Sequence, residues 1–492
     1  MRGRVAPHLL GAGIALGIGW RLLQTTVPGR LDFALSAGLL LLVLAVLHGR
    51  ALLHLPETDR LLLGVPAILL IGAIIWRDSE TLFGVNLLAL SGLIAFARPV
   101  RVGLQGQLLH SGVGDLLRRL IHAGRGAAVG AWSLLVAVRG PDSVQAPGSR
   151  WAAGVGVLAI SPVLLLFSLL LGSADPVFRQ LLESVVDPEL VVEQVVPLLF
   201  WSWLGAGLLW ALTRAPSATE AAPAGGRVNS PAVTGALAPI AILFLAFLVV
   251  QSRYLFGGRA VVMGTADLSF AEYARHGFFE LVTISAMMLP ILLFADWVAN
   301  QHTEADRRRF RRLALSLLVL LAGLLGSALL RMSIYTSEYG LTEERLFATV
   351  FMGWLAFVFA WFGATVLRRR REQFTAGALG SALVTLLLLN AVGPDEVIVR
   401  TNAWRVGKGR SLDAEYLASL GAGAVPAALR VLPALPATER CDGTRLLVER
   451  WGKVASGRED VWTIERWRAT GVLLGRLAIE AKAACRGIRI WT

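Results

Sequence analysis

Charge is scarce in this chain. Of 492 residues, 16% are Asp, Glu, Lys or Arg and 55% are hydrophobic, whereas a soluble globular domain carries about a quarter charged residues. That deficit excludes an ordinary soluble protein. Cysteine is scarcer still: Cys441 and Cys485 are the only two. Nothing in the chain has the form of a catalytic elbow, a phosphate loop or a metal-binding pattern, so no catalytic residue, metal or cofactor is assigned, and the chemistry points away from an enzyme. A convincing leader-cleavage site is missing as well. MRGRVAPHLLGAGIALGIGW has the charges and the apolar stretch of one, but Trp20, Arg21 and Gln24 stand where a small-x-small site would be needed, so it is taken as a retained first helix.

What the chain does have is apolar runs of ~18–22 residues, the length a helix needs to cross ~30 Å of hydrocarbon. About eleven candidate spans follow from this length, at 8–24, 31–48, 60–76, 80–97, 151–172, 190–213, 233–253, 276–298, 313–333, 346–367 and 375–393. The fold class expected is an all-α, polytopic transmembrane bundle. The net charge of +13 would suggest nucleic acid in a soluble chain. Here the arginines gather in alternate short loops, as in Arg98 and Arg101, Arg307 to Arg312, and Arg368 to Arg371. That alternation marks membrane orientation and not nucleic-acid binding. It puts those loops and the N-terminus in the cytoplasm and the tail from Pro394 outside.

Four regions follow. Residues 1–97 hold the first transmembrane helices. Residues 98–150 are basic, with Leu109, Val113, Leu116, Leu120 and Ile121 at helical spacing opposite Arg118 and Arg119, an interfacial pattern suited to an anionic leaflet. Residues 151–393 form the core bundle. Residues 394–492 make a small helical domain: VIVRTNAWRV connects it to the last span, 411–432 is a helix or helix pair broken near Gly421 to Gly423 and again at Pro426, and 463–485 is a helix with Trp467, Leu474, Leu477 and Ala481 on one stripe. Cys441 and Cys485 both lie in this tail, which favours a disulfide if the tail is in an oxidising compartment; two unrelated thiols are the alternative.

Several motifs carry polar residues that could do chemistry. In SADPVF, Asp175 precedes Pro176 at the outer edge of a span, the pattern of a helix cap, and Asp187-Pro188 repeats it. In SFAEYARHGFFELV, Ser269 and Glu272 make a capping box, and Glu272, His276 and Glu280 fall nearly on one face. Such a face could bind a cation or relay a proton, or be a hydrated interfacial surface. Thr342 is placed to cap the tenth span, with Glu343 and Glu344 in its first turn. Arg331 near the same outer level could pair with Glu280. Asp175, Glu272, His276, Glu280, Arg331 and Glu338 therefore form a candidate outer-face polar cluster. Polar content at mid-depth is otherwise thin: Asn86, Gln251 and Asn390, with Asp296 expected to be hydrated at the inner end of its span. Transporters carry more charge at that depth.

SADPVF at 173–178, YARHGFFELV at 273–282, YTSEYGLTEERLF at 335–347 and SLDAEYLASLGAGAVPAAL in the tail resemble a bacterial membrane family, domain of unknown function 4173, related to 4153. The resemblance runs from about Trp151 to Val431 and implies a multi-span integral membrane protein, with no activity or site residues to carry over. Together with the topology, it makes this a bacterial inner-membrane protein. The expected partners are the lipid bilayer and an extracytoplasmic protein. The expected role, for a membrane protein of unknown activity, is that of a scaffold, sensor or envelope assembly factor binding at its outer face; the alternative is a transporter or lipid-handling protein with its polar site around Glu280 and Arg331.

Overall fold

The computed structural model describes residues 11–19, 35, 38, 57–96, 198, 201–203, 205–207, 209, 228–256, 278–300, 303–456 and 462–486. Outside these lie the spans expected at 31–48 (two residues apart) and 151–172, the basic interfacial segment, the two Asp-Pro caps and the Ser269–Glu272 capping box. The described chain is helical apart from its turns and one two-residue parallel pairing of β1, Val228–Asn229, with β2, Ala299–Asn300.

Among the described residues, seven long helices build most of the bundle: α1 Glu57–Trp76, α2 Glu80–Phe96, α3 Ser230–Phe256, α4 Phe278–Val298, α5 Glu304–Tyr339, α6 Glu343–Thr365 and α7 Arg371–Val392. Each falls on an apolar run seen in the sequence. Glu304–Tyr339, Glu343–Arg368 and Gln373–Val392 are long and apolar enough to cross a membrane, and the apolar parts of α1 to α4 are shorter. The remaining expected spans lie wholly or partly outside the described residues. Ile68, Leu88, Ile242 and Val319 point outward, which suits hydrocarbon and not water.

Helix α5 organises the larger core. Thr303 caps its start by accepting a hydrogen bond from the Asp306 N–H, with Glu304 and Asp306 in the first turn. At 36 residues it is about 54 Å long, so it carries Arg307 to Arg312 beyond the apolar stretch. Its Leu317, Leu321, Leu324 and Ala328 pack with Phe244 of α3, Met288 and Leu292 of α4, and Met352, Leu355 and Phe362 of α6. A second core joins Leu70 of α1, Leu82 and Leu90 of α2 and Leu386 of α7 to Leu16 and Leu209. Residues 11–19 approach the helical residues around 202–206 closely: a Cβ on Gly13 would sit 2.5 Å from that of Ala206, and one on Gly17 1.9 Å from the Ser202 hydroxyl. This is close packing through small residues four apart.

Two polar contacts inside the bundle change expectations. Asp296 is not hydrated: it is 5% exposed and takes a 2.6 Å ion pair from Arg371. Burial would make the lone carboxylate costly, and Arg371 at the start of the next helix but two offsets that cost. Asn86 and Asn390, from α2 and α7, donate to each other at 3.0 and 2.8 Å, a reciprocal amide pair that leaves little polar surface toward lipid.

The tail begins on the end of the bundle away from Arg307 to Arg312. It comprises α8 Pro394–Val406, α9 Ala414–Ser419, α10 Ala424–Val431, α11 Ala437–Ser456, α12 Ile464–Arg468 and α13 Leu474–Ala484. Ile398, Val425, Leu447, Trp451 and Leu477 form its core with Leu341 from the α5–α6 turn. Three expectations need correcting. VIVRTNAWRV is no mere connector but most of α8. Pro426 does not break a helix, because it sits in the first turn of α10, where no intrahelical N–H is lost. The 463–485 helix is kinked through a wide turn at Ala469–Leu473, with Gly471 out of helical conformation, so Trp467 is 61% exposed while Leu477 is buried.

The Asn86–Asn390 pair gives a first test. A double-mutant cycle with Asn86→Leu and Asn390→Leu, read by unfolding in mixed micelles, should show a coupling of about 0.5–1.5 kcal/mol. Additive effects would mean that the amides do not bond across the helices.

Candidate functional site

The richest polar region is the junction between the tail and the turn Arg77-Asp78-Ser79 that joins α1 to α2. Local chemistry fixes the turn. Ser79 accepts from the Leu82 N–H at 3.2 Å, capping α2. Arg77 turns the other way and caps α7 from outside: its guanidinium donates to the carbonyl oxygens of Asn390 at 2.6 Å and Ala391 at 2.9 Å. Those carbonyls have no partner within their own helix, and a cation is favoured at that end of the dipole. Gly393 makes the approach feasible. It has φ +82°, and a Cβ there would lie 2.5 Å from Arg77 Nη1, so a side chain is disfavoured both by conformation and by space.

The free prong of Arg77 pairs with Glu465 of α12 at 2.5 Å, and the other oxygen of Glu465 accepts the Asp78 N–H at 2.9 Å. Asp78 answers in kind. It accepts the Ala422 N–H at 3.1 Å and the Arg466 Nε at 3.2 Å. Thr463 caps α12 by accepting from Arg466 N, which fixes the direction in which Glu465 and Arg466 leave the helix. Ser79 donates to Glu343 at 2.8 Å, and the Glu343 N–H donates to the Tyr416 hydroxyl at 2.8 Å. Thr342 caps α6 as expected. Four carboxyls (Asp78, Glu343, Asp395 and Glu465) thus meet two guanidinium groups, Arg77 and Arg466.

Asp395, in the first turn of α8, stands apart. It is 5% exposed. Its carboxyl lies under the Gly421–Gly423 turn, where a Cβ on Gly421 would be 2.7 Å and one on Gly423 3.1 Å from Oδ2. Burial pushes its pKa up to about 7, helped by the negative charges of Glu465, Glu343 and Asp78 and opposed by Arg77. Burial also raises Glu465 above the ordinary carboxylate range, against the pull of Arg77. The arrangement can bind a proton. Among the described residues, no group of His, Cys, Asp and Glu is arranged to hold a metal ion.

A second strap holds α8 to the α5–α6 turn. Arg405 donates to the carbonyls of Ser337 at 3.1 Å and Glu338 at 2.6 Å, capping α5 as Arg77 caps α7. Asn402 exchanges two hydrogen bonds with the backbone of Leu341, at 2.7 and 2.9 Å. Gly340, at φ +89°, leaves room for Arg405 and Asn402. Within the tail, a disulfide joins Cys441 of α11 to Cys485 after α13, across 44 positions.

The cluster expected from sequence is only partly placed. Asp175, Glu272 and His276 lie outside the described residues, and Glu280 is placed only as backbone in the first turn of α4. Glu338 faces the tail, paired with Arg410 at 2.7 Å. Arg331 lies two turns before it on α5, half-buried. Sequence reasoning missed Arg77, Asp78, Asp395, Glu465 and Arg466. The signals were small: RDSE, a fully polar break between two apolar runs, and GPDE, a glycine and proline ahead of two acids just past a span.

These features define an all-helical chain with membrane-length helices and a helical domain seated on one end of them. It belongs to the family described as domain of unknown function 4153, whose model matches residues 64–431. The matched family is thus the relative and not 4173, and the match starts at 64 and not near 151, so it takes in α1, α2 and the 77–79 turn. No curated protein and no solved structure matches the chain.

The clamp is tested by removing one partner. Arg77→Ala should destabilise the tail by about 3 kcal/mol, because it strands Glu465 and two helix-end carbonyls. Glu465→Ala should cost less, and the double variant little more than Arg77→Ala alone, by thermal unfolding in detergent. Strictly additive losses would mean that the two do not act as a pair.

Proposed function

We propose that this is a multi-pass bacterial inner-membrane protein, N-terminus cytoplasmic, that presents its tail domain outside the cytoplasm to a protein partner, as a scaffold, sensor or envelope assembly factor. One observation carries the reading: the tail leaves the bundle at Gly393 and is clamped to two of its turns, at 77–79 and 340–342, all on the end away from Arg307 to Arg312 and Arg368 to Arg371. Arginine-rich ends favour the cytoplasmic side, which supports a tail on the outer side. There an oxidising compartment would maintain Cys441–Cys485. Exposed Trp76, Trp404 and Trp467 ring the same junction, with Lys408 stacked 3.6 Å over Trp404, as aromatic and basic anchors do at a bilayer surface. A domain so firmly tied to the bundle can pass a binding event outside to the helices.

A reporter active only outside the cytoplasm, fused after Thr492, should be active; a stable but silent fusion would reverse the orientation. Purification in native lipid should then recover a protein partner with the wild type and lose it with Arg77→Ala. Recovery instead of a lipid or small molecule, lost with Glu280→Gln and Arg331→Gln, would favour the transporter or lipid-handling alternative.

A further inference from the structure

We propose that the junction is a proton-binding site: Asp395 holds a proton while the tail is seated on the bundle, and seating weakens when that proton leaves. This rests on the sensor reading above and names the stimulus. The geometry carries it. Asp395 is buried at the start of α8 between the 77–79 turn and the Gly421–Gly423 turn, two segments that a shift of the tail would separate. No hydrogen-bond donor among the described residues reaches its carboxyl, whereas Asp78, Glu343 and Glu465 are each satisfied. An ionised carboxylate there would lose most of its hydration with no hydrogen bond in exchange, and only the nearby charge of Arg77 to offset the cost. A protonated one carries no charge to desolvate.

The charged and titratable groups facing it come from every neighbouring element. Arg77 and Asp78 act on it from the α1–α2 turn, Glu343 from α6, Tyr416 from α9 and Glu465 from α12, with Arg345 of α6 beside Tyr416 and Arg466 of α12 beside Asp78 just behind them. All three arginines are already engaged, Arg77 by Glu465 and two carbonyls, Arg466 by Asp78, and Arg345 by the Gly340 carbonyl and the Tyr335 ring. None of them makes a hydrogen bond to Asp395. Gly421 and Gly423 bring backbone against Oδ2 where any side chain would push the carboxyl away.

The direction of the response follows. A carboxyl whose seated pKa lies near 7 against an ordinary 3.8 takes up a proton on seating. Its contribution to seating is complete below about 4, falls as pH rises, and is gone above about 7. Between pH 5.5 and 8.5 the seating constant should fall ~30-fold. Glu465, raised in the same sense, adds to the fall.

Native-state hydrogen exchange on the full chain in lipid nanodiscs reads this directly. After correction for intrinsic exchange, protection of amides 421–428 should drop ~30-fold from pH 5.5 to 8.5, while peptides within α5 and α6 stay unchanged. Asp395→Asn, which mimics the protonated side chain, should lose most of this pH response and keep only the smaller part that Glu465 contributes. Equal protection of the wild type at both values overturns the proposal, as does an undiminished response in Asp395→Asn. Should that variant not accumulate, the wild-type profile with α5 and α6 as internal reference still decides. Partner capture and the fusion reporter fail or succeed independently of these protection factors, so the proton site and the outward-facing platform can be rejected separately.

Discussion

The arrangement depends on one side chain, Arg77, whose planar fork ties three segments together. Two of its nitrogens take the last carbonyls of α7 and the third takes Glu465. Lysine has one compact charge and could not reach all three. Once Arg77 is placed there, Gly393 must lack a side chain, α8 must start where it does, and Asp395 must turn beneath the 421–423 turn. The polar cluster is therefore a consequence of how a helix end is capped. Arg405 repeats the device on α5, so the two helices that flank α6 both end on an arginine.

The matched family segment ends at 431, inside the tail's own core. Ile398 and Val425 belong to the matched part, whereas Leu447, Trp451 and Leu477, which close over them, come from α11 and α13 beyond it. Glu465 and Arg466 are also beyond it, although their partners Arg77 and Asp78 are within it. In this chain the segment after 431 completes both the core and the clamp, and Cys441–Cys485 braces that segment by joining its two long helices.

How much was legible depended on whether the signal was local. The seven apolar runs that coincide with described bundle helices were legible, with the other expected spans, because hydrocarbon demands length and apolarity from each helix separately. Thr342 as a cap and the cysteine pair were read from neighbouring residues or from compartment chemistry. Asp296 was misread because hydration was inferred from its depth alone, while its partner Arg371 is 75 positions away. Pro426 was misread as a breaker because its place within the helix depends on where α10 begins. The clamp was invisible for a stronger reason: Arg77 and Glu465 are separated by 388 positions, and each alone looks like an ordinary polar residue at the end of an apolar run.

The central claim is that the tail and the bundle are joined across the 77–79 turn. Its most direct measurement is the distance between spin labels at Thr81→Cys on α2 and Arg445→Cys on α11, both exposed positions, in the full chain in nanodiscs near pH 6. A seated tail predicts one narrow distance distribution that broadens when Arg77→Ala is added. A distribution already broad in the wild-type background, or one that Arg77→Ala leaves unchanged, would contradict the clamp.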